Sequence, residues 1–259
     1  MPELPDLQVF AANLTKKLKG KKLHGITINE KKKIHTPETK FNEVLVGKPL
    51  KGVHRRGKQL YFDFGKDAEV AVHLMLHGKL VLSQDEKETP RHTIAGFTFG
   101  DSTLFVTDFQ KMATISLNPA PQPGMDALAE DVTSEWVKQT LASSKASIKA
   151  LLMDQKVIAG IGNAYADEIL YVAGIAPQSK ANKIPAGAAA KLAKAIKHVL
   201  VSAEKKISKD HEGIISGEYR DFMAVHHTDK ETSPDGEKIL IKKIGGRSTY
   251  FTQSQELFE

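Results

Sequence analysis

Met1-Pro2-Glu3 opens the chain, so removal of Met1 would leave a secondary amine one residue from a carboxyl group. An α-amino group has a pKa near ~8, which leaves a useful fraction of a terminal proline nitrogen neutral and nucleophilic at physiological pH. Such an amine can attack an electrophilic carbon and form an iminium, as Schiff-base lysines do, with Glu3 beside it as proton donor. Met-Pro alone better suits a chain that merely starts extended. The chemistry gains weight from four other segments. These are Gly57-Lys58-Gln59-Leu60, His73-Leu74-Met75-Leu76-His77-Gly78, the Gly160-Ile161-Gly162-Asn163-Ala164-Tyr165-Ala166-Asp167-Glu168 run, and Gly245-Gly246-Arg247-Ser248-Thr249-Tyr250. Glycines allow close backbone approach, and amides at a following helix start can point at phosphate.

The elements around these residues change character along the chain. Leu7, Phe10, Leu14 and Leu18 share one face of a helix expected over 6–19. From 26 to 117 short alternating or apolar runs read as an antiparallel β-sandwich, with Lys58 at a strand start. Pro119-Ala120-Pro121-Gln122-Pro123-Gly124 is the clearest linker. Helical periodicity follows over 134–142, 148–157, 164–173 and 188–208, then a polar loop, then a hairpin of 238–244 and 248–252 around Gly245-Gly246. The class is α+β. Expected boundaries are 1–118 for the sandwich, 119–129 for the linker, 130–223 for the helical domain and 224–259 for the loop and hairpin.

The chain of 259 residues carries a net charge of +6, which suits a polyanionic partner. Residues 1–60 hold 14 Lys/Arg against 5 Asp/Glu, and residues 135–209 hold 12 Lys against 5 acids, so two basic blocks could face each other across a groove. There is no cysteine, which excludes disulfides and thiolate metal sites. The ten histidines form no persuasive metal constellation: His226 and His227 are adjacent, and His73 and His77 share a strand face only if no turn intervenes. No signal segment and no 18-residue apolar stretch appears, so the expectation is a cytoplasmic protein.

The order and spacing of these segments resemble the formamidopyrimidine-DNA glycosylase/endonuclease VIII family of base-excision repair enzymes over essentially the whole chain. The resemblance implies a sandwich domain, a helix-two-turn-helix domain and a terminal finger acting as a monomer, without cofactor, on damaged double- or single-stranded DNA. It makes Pro2 the nucleophile that attacks C1′ of a flipped nucleotide, Glu3 the proton donor, and Lys58 the catalytic lysine. It assigns phosphate contacts to His73, Asn163 and Arg247, and a carboxylate near the terminus to Glu168 or, bare of the family, a solvent-facing or helix-dipole role.

Four departures from the family stand out. The finger's four zinc-binding cysteines are absent, near Ser233-Pro234-Asp235-Gly236 and in Thr252-Gln253-Ser254-Gln255, so the finger reads as zincless. Packing of Ile239, Ile241, Ile244, Tyr250 and Phe251 would replace the metal. The three side chains that fill the hole left by the flipped base correspond to Leu76 (with Met75 adjacent), Gln110 and Met112, where ordinary core packing competes with a wedge role for Met75 and Met112. Asp6 stands where the family usually has glutamate, and the short 213–218 segment leaves little room for a lesion-capping loop, which favours an endonuclease VIII-like substrate range. The competing reading is a lesion- or abasic-site-binding member with lost or reduced glycosylase activity, motivated by Gln110 and Asp6. A ribosome- or RNA-associated protein fits charge alone and gives no reason for Pro2-Glu3.

Overall fold

The computed structural model describes residues 1–84 and 89–259. They form two compact units, one of Met1–Pro121 with Ile207–Glu218, the other of Gln122–Lys206 with Tyr219–Glu259.

The first unit opens with α1 (Leu4–Leu18). It starts two residues before the expected position 6, because Pro5 is tolerated in a first turn and Glu3 and Asp6 cap it reciprocally. Leu4, Leu7, Phe10, Leu14 and Leu18 are buried along one stripe. Eight strands follow: β1 (Gly25–Ile28), β2 (Gly52–Arg56), β3 (Gln59–Asp63), β4 (Glu69–His73), β5 (Lys79–Ser83), β6 (Thr93–Phe99), β7 (Ser102–Thr107) and β8 (Thr114–Leu117). They make two antiparallel four-stranded sheets, ordered β1-β6-β7-β5 and β2-β3-β4-β8. Phe62 stacks on Phe97 and Phe64 on Phe99, so aromatic rings from the two sheets meet in the core of the sandwich.

One helix inside this region was not legible. α2 (Glu38–Leu45) buries only Phe41 and Leu45, too few apolar positions in eight residues to declare a period. Its place is set instead by Asn42, whose amide bonds both the N–H and the carbonyl of Ile26 on β1 (2.8 and 3.1 Å).

In the second unit the two-residue strands β9 (Met125–Asp126) and β10 (Ile158–Ala159) pair in parallel. The helices are α3 (Ser134–Ala142), α4 (Ile148–Met153), α5 (Asn163–Ala173) and α6 (Ala186–Asp210), the last of which belongs to this unit as far as Lys206. The helix expected over 148–157 ends at Met153; Asp154 accepts the Lys156 amide at 2.9 Å, and the chain turns into β10. Trp136, Val137, Leu141, Leu151, Leu152, Leu192 and Ile196 line one apolar region among these helices. The hairpin pairs β11 (Leu240–Ile244) with β12 (Arg247–Phe251). Its two-residue turn, Gly245-Gly246, has φ of 56° and 77°, a left-handed pair that favours glycine at both positions. Among the described residues, no helix is long and apolar enough to cross a membrane.

Candidate active site

Pro2 is buried at the start of α1 and lines a cleft of about 240 Å3 with Leu76, His77, Gly78, Lys79, Gly217 and Glu218. Met1 is present, so the Pro2 nitrogen is an amide in this form, and the Met1 ammonium pairs with the Glu218 carboxylate. Glu3 is buried, and its backbone N–H donates to Asp6 Oδ2 at 2.9 Å. Asp6 is wholly buried as the third residue of α1 and serves the cap that orients Glu3. The shortened carboxylate thus has a local structural task. A larger cleft of about 490 Å3 beside β1 and α2 contains none of the expected site residues.

Lys58 lies in the two-residue turn between β2 and β3 (Arg56 pairs with Gln59), not at a strand start, and it is buried rather than solvated. The β4 end brings His73 into its field. Burial, and then the positive charge of Lys58, push the His73 imidazolium down to a pKa of about 4. His73 Nδ1 accepts the Met75 N–H at 2.9 Å. The neutral ring therefore carries its proton on Nε2, an uncharged donor available for a phosphate oxygen.

A turn does intervene between His73 and His77, so the two do not share a strand face. Residues 75–77 leave the strand, Met75 takes φ of 55°, and the Gly78 N–H bonds Leu74 O at 2.8 Å. A Cβ on Gly78 would fall 2.2 Å from that carbonyl oxygen, so glycine permits the tight return. Leu76 is left 55% exposed at the tip. The 108–112 loop is held from beneath: the buried Asp108 carboxylate accepts the amides of Gln110, Met112 and Ala113 at 2.8–2.9 Å. Gln110 is exposed, while Met112 is half-buried. The exposed apolar residue of this loop is instead Phe109, at 57%, with its ring 4.6 Å from that of His77. Sequence reasoning passed over Phe109. Its available signal was an aromatic residue between the polar Asp108 and Gln110.

In the second unit Asn163 begins α5 after the Gly160-Ile161-Gly162 turn, which Gln155 braces by bonding Gly160 N and Ile161 O at 2.9 and 2.8 Å. Asn163 Nδ2 donates to Ser248 O at 3.1 Å, which ties the helix start to the residue after Arg247. Arg247 is exposed at the start of β12, beside a cleft it lines with Lys149, Met153, Asp154 and Gly245. Glu168 is buried, and neither solvent-facing nor at the helix dipole. Its carboxylate accepts the amides of Ala224, Val225 and His226 at 2.7–2.8 Å and so organises that loop.

Hairpin packing is narrower than expected. Ile239 and Tyr250 pack on Val225, Tyr171 and Ala224, but Ile241 is 62% exposed although it pairs with Tyr250 on the next strand. The donor set does not fit a thiolate zinc. Where the cysteines would stand, Ser254 N donates to Glu237 Oε2 at 3.3 Å, Thr252 N to Gln255 Oε1 at 2.8 Å, and Glu237 N to Ser233 Oγ at 3.3 Å. No group of three metal-binding side chains occurs among the described residues.

Two family models match. That of the formamidopyrimidine-DNA glycosylase N-terminal domain covers residues 1–115, and that of the formamidopyrimidine-DNA glycosylase H2TH domain covers 124–214. The chain is 33% identical over 268 residues to the formamidopyrimidine-DNA glycosylase of Pelotomaculum thermopropionicum, covering 97% of each. It is likewise 33% identical over 270 residues to that of Bacillus subtilis, with 97% of each covered. Among solved structures, it matches the Lactococcus lactis Fpg in complex with abasic-site DNA with a TM-score of 0.87 at 27% identity, covering 97% of this chain and 98% of that one. A second complex of the Lactococcus lactis protein, with an oxidised-pyrimidine DNA, matches at the same TM-score of 0.87 and 28% identity, with the same 97% and 98% covered.

Proposed function

This chain belongs to the formamidopyrimidine-DNA glycosylase family, and from that premise we propose that it excises oxidised or ring-opened bases from DNA and cleaves the strand at the resulting abasic site. The observation that carries the reading is Pro2, buried at a cleft, with Glu3 oriented beside it by Asp6. After removal of Met1, the Pro2 lone pair attacks C1′ and the base departs with the glycosidic electrons. Glu3 gives a proton to the ring oxygen, the ring opens, and the sugar is held as an iminium. Loss of a C2′ proton then expels the 3′ phosphate, and a second elimination expels the 5′ phosphate. Lys58 and the neutral Nε2–H of His73 stabilise the departing phosphate oxygens. Asn163 and Arg247 grip the backbone, and Leu76 and Phe109 occupy the stack that the flipped nucleotide leaves. This assignment adds Phe109 to the expected trio and gives Met112, half-buried, a supporting place.

The short 213–218 segment supports an endonuclease VIII-like leaning toward oxidised pyrimidines. Structural neighbours carry both an oxidised pyrimidine and an N7-benzyl-Fapy-dG in their DNA, so the proposal includes both lesion classes. The chain acts without a resident metal, as a soluble monomer in the compartment of the DNA. The test is borohydride trapping on oligonucleotides that carry an abasic site, oxidised pyrimidines or ring-opened purines. A covalent adduct through the N-terminal amine is expected. Base release without any trappable adduct would overturn the mechanism.

A further inference from the structure

The hairpin has a mechanical problem. Two five-residue strands are marginal by themselves, and among the described residues the apolar cluster at the hairpin has three buried members, Val225, Ile239 and Tyr250. Yet Arg247, at the tip end of β12, must hold a fixed direction to grip a phosphate.

The second unit contains an ion pair that solves this. Lys149 on α4 and Asp167 on α5 are 1% and 0% exposed, and Lys149 Nζ lies 2.7 Å from Asp167 Oδ1. Both ions also reach β12. Lys149 Nζ donates to Thr249 Oγ1 at 2.8 Å and to Ser248 O at 3.3 Å. Asp167 Oδ2 accepts the Tyr250 N–H at 3.0 Å and meets His226 Nδ1 at 2.7 Å. Three consecutive residues after Arg247 are therefore held from below, and Asn163 adds a second donor to the Ser248 carbonyl. A buried ion pair adds little net stability compared with an apolar pair of the same shape, so its presence calls for a geometric reason. We propose that Lys149 and Asp167 are positioning residues that clasp β12 and thereby aim Arg247. The inference rests on the reading of Arg247 as a phosphate-binding residue.

The clasp and the aiming are tested separately on the full chain. Lys149→Met leaves Asp167 buried without its partner and risks misfolding. Lys149→Met/Asp167→Asn removes both charges, preserves an acceptor for Tyr250 N–H, and keeps the test open if the single variant fails. In the folded double variant, hydrogen exchange at the Thr249 and Tyr250 amides should accelerate about tenfold, while amides of α3 and α6 remain unchanged. Unchanged exchange at 249 and 250 would overturn the clasp.

Aiming is read by a double-mutant cycle on affinity for an abasic duplex. Arg247→Ala should weaken binding about tenfold in the otherwise unaltered chain, but less than about twofold in the clasp variant, since a misdirected arginine has little left to lose. Lys149→Arg, which retains the charge, should recover part of the affinity lost in Lys149→Met. A clasp with only a structural role would lower the melting temperature and leave the effect of Arg247→Ala undiminished, which would overturn the aiming. If Arg247→Ala were silent in the unaltered chain, the phosphate role of Arg247 would fail, and the aiming with it, while the exchange result would still decide the clasp.

Discussion

Lowering the pH from 7 to 5 should expose the state of His73. Its folded pKa is pushed down to about 4, by burial first and then by Lys58, so the imidazole remains neutral in the folded protein. In the unfolded chain it titrates near ~6.5. The unfolded state therefore binds the proton first as pH falls. The His73 contribution to stability is whole above the unfolded value, shrinks between about pH 6.5 and 4, and stays lost below that. At pH 5 the deficit works out to about 2 kcal/mol, and at full protonation to about 3 kcal/mol. Trp136, the single tryptophan, lies in the other unit, so its fluorescence is a poor reporter. Amide exchange of the paired strands β3 and β4 is the better assay, with the wild-type protein and His73→Gln compared at each pH so that intrinsic exchange rates cancel. His73→Gln should lack about 2 kcal/mol of the acid-induced loss at pH 5. NMR titration of the His73 ring gives the pKa directly. A ring that titrates near its ordinary value, or coincident pH profiles for the two proteins, would refute the reasoning. The same neutrality has a functional corollary. His73→Gln should weaken abasic-DNA binding without changing its salt slope, because an uncharged donor releases no counterion.

Pro2→Gly should weaken or abolish borohydride trapping, and protein with Met1 demonstrably retained should not trap at all; equal trapping with Met1 in place would sink the nucleophile assignment. Chelators should leave folding and strand cleavage unchanged, as checked by circular dichroism and gel assay in EDTA, since no thiolate site exists to lose; loss of activity that zinc restores would count against the zincless finger. Lys58→Ala and Arg247→Ala should each reduce the salt dependence of abasic-duplex binding by about one phosphate's share, roughly 0.9 in logarithmic slope. Gln110→Ala should alter opposite-base preference and leave that slope alone. Phe109→Ala should reduce the unstacking signal of 2-aminopurine beside the lesion, with Phe109→Trp restoring it; an unaltered signal in Phe109→Ala would remove Phe109 from the wedge.

Local chemistry made much of this protein readable in one dimension. The apolar stripe of α1, the alternation of the β-strands, the proline-rich linker and the Gly245-Gly246 turn each depend on neighbours within a few residues, so the α+β organisation was legible. Pro2-Glu3 and the glycine-asparagine turn were legible for the same reason, as contiguous motifs. What the chain order concealed was the partner of each polar side chain. Asp6 reads as a shortened carboxylate and proves to be half of a cap. Glu168 reads as a carboxylate near the catalytic terminus or as a solvent-facing or helix-dipole acid, and it collects three amides from residues 224–226, more than fifty positions away. Lys149 reads as one lysine of a basic block and Asp167 as part of the glycine-asparagine run, and only folding places them 2.7 Å apart, both bonded to β12. Desolvation is the common cause. Burial makes every polar group find a partner, and only the packed chain decides which partner is within reach. Exposure works the same way in reverse: Phe109 is apolar enough for a core, and the Asp108-bound loop beneath it is what holds it in solvent.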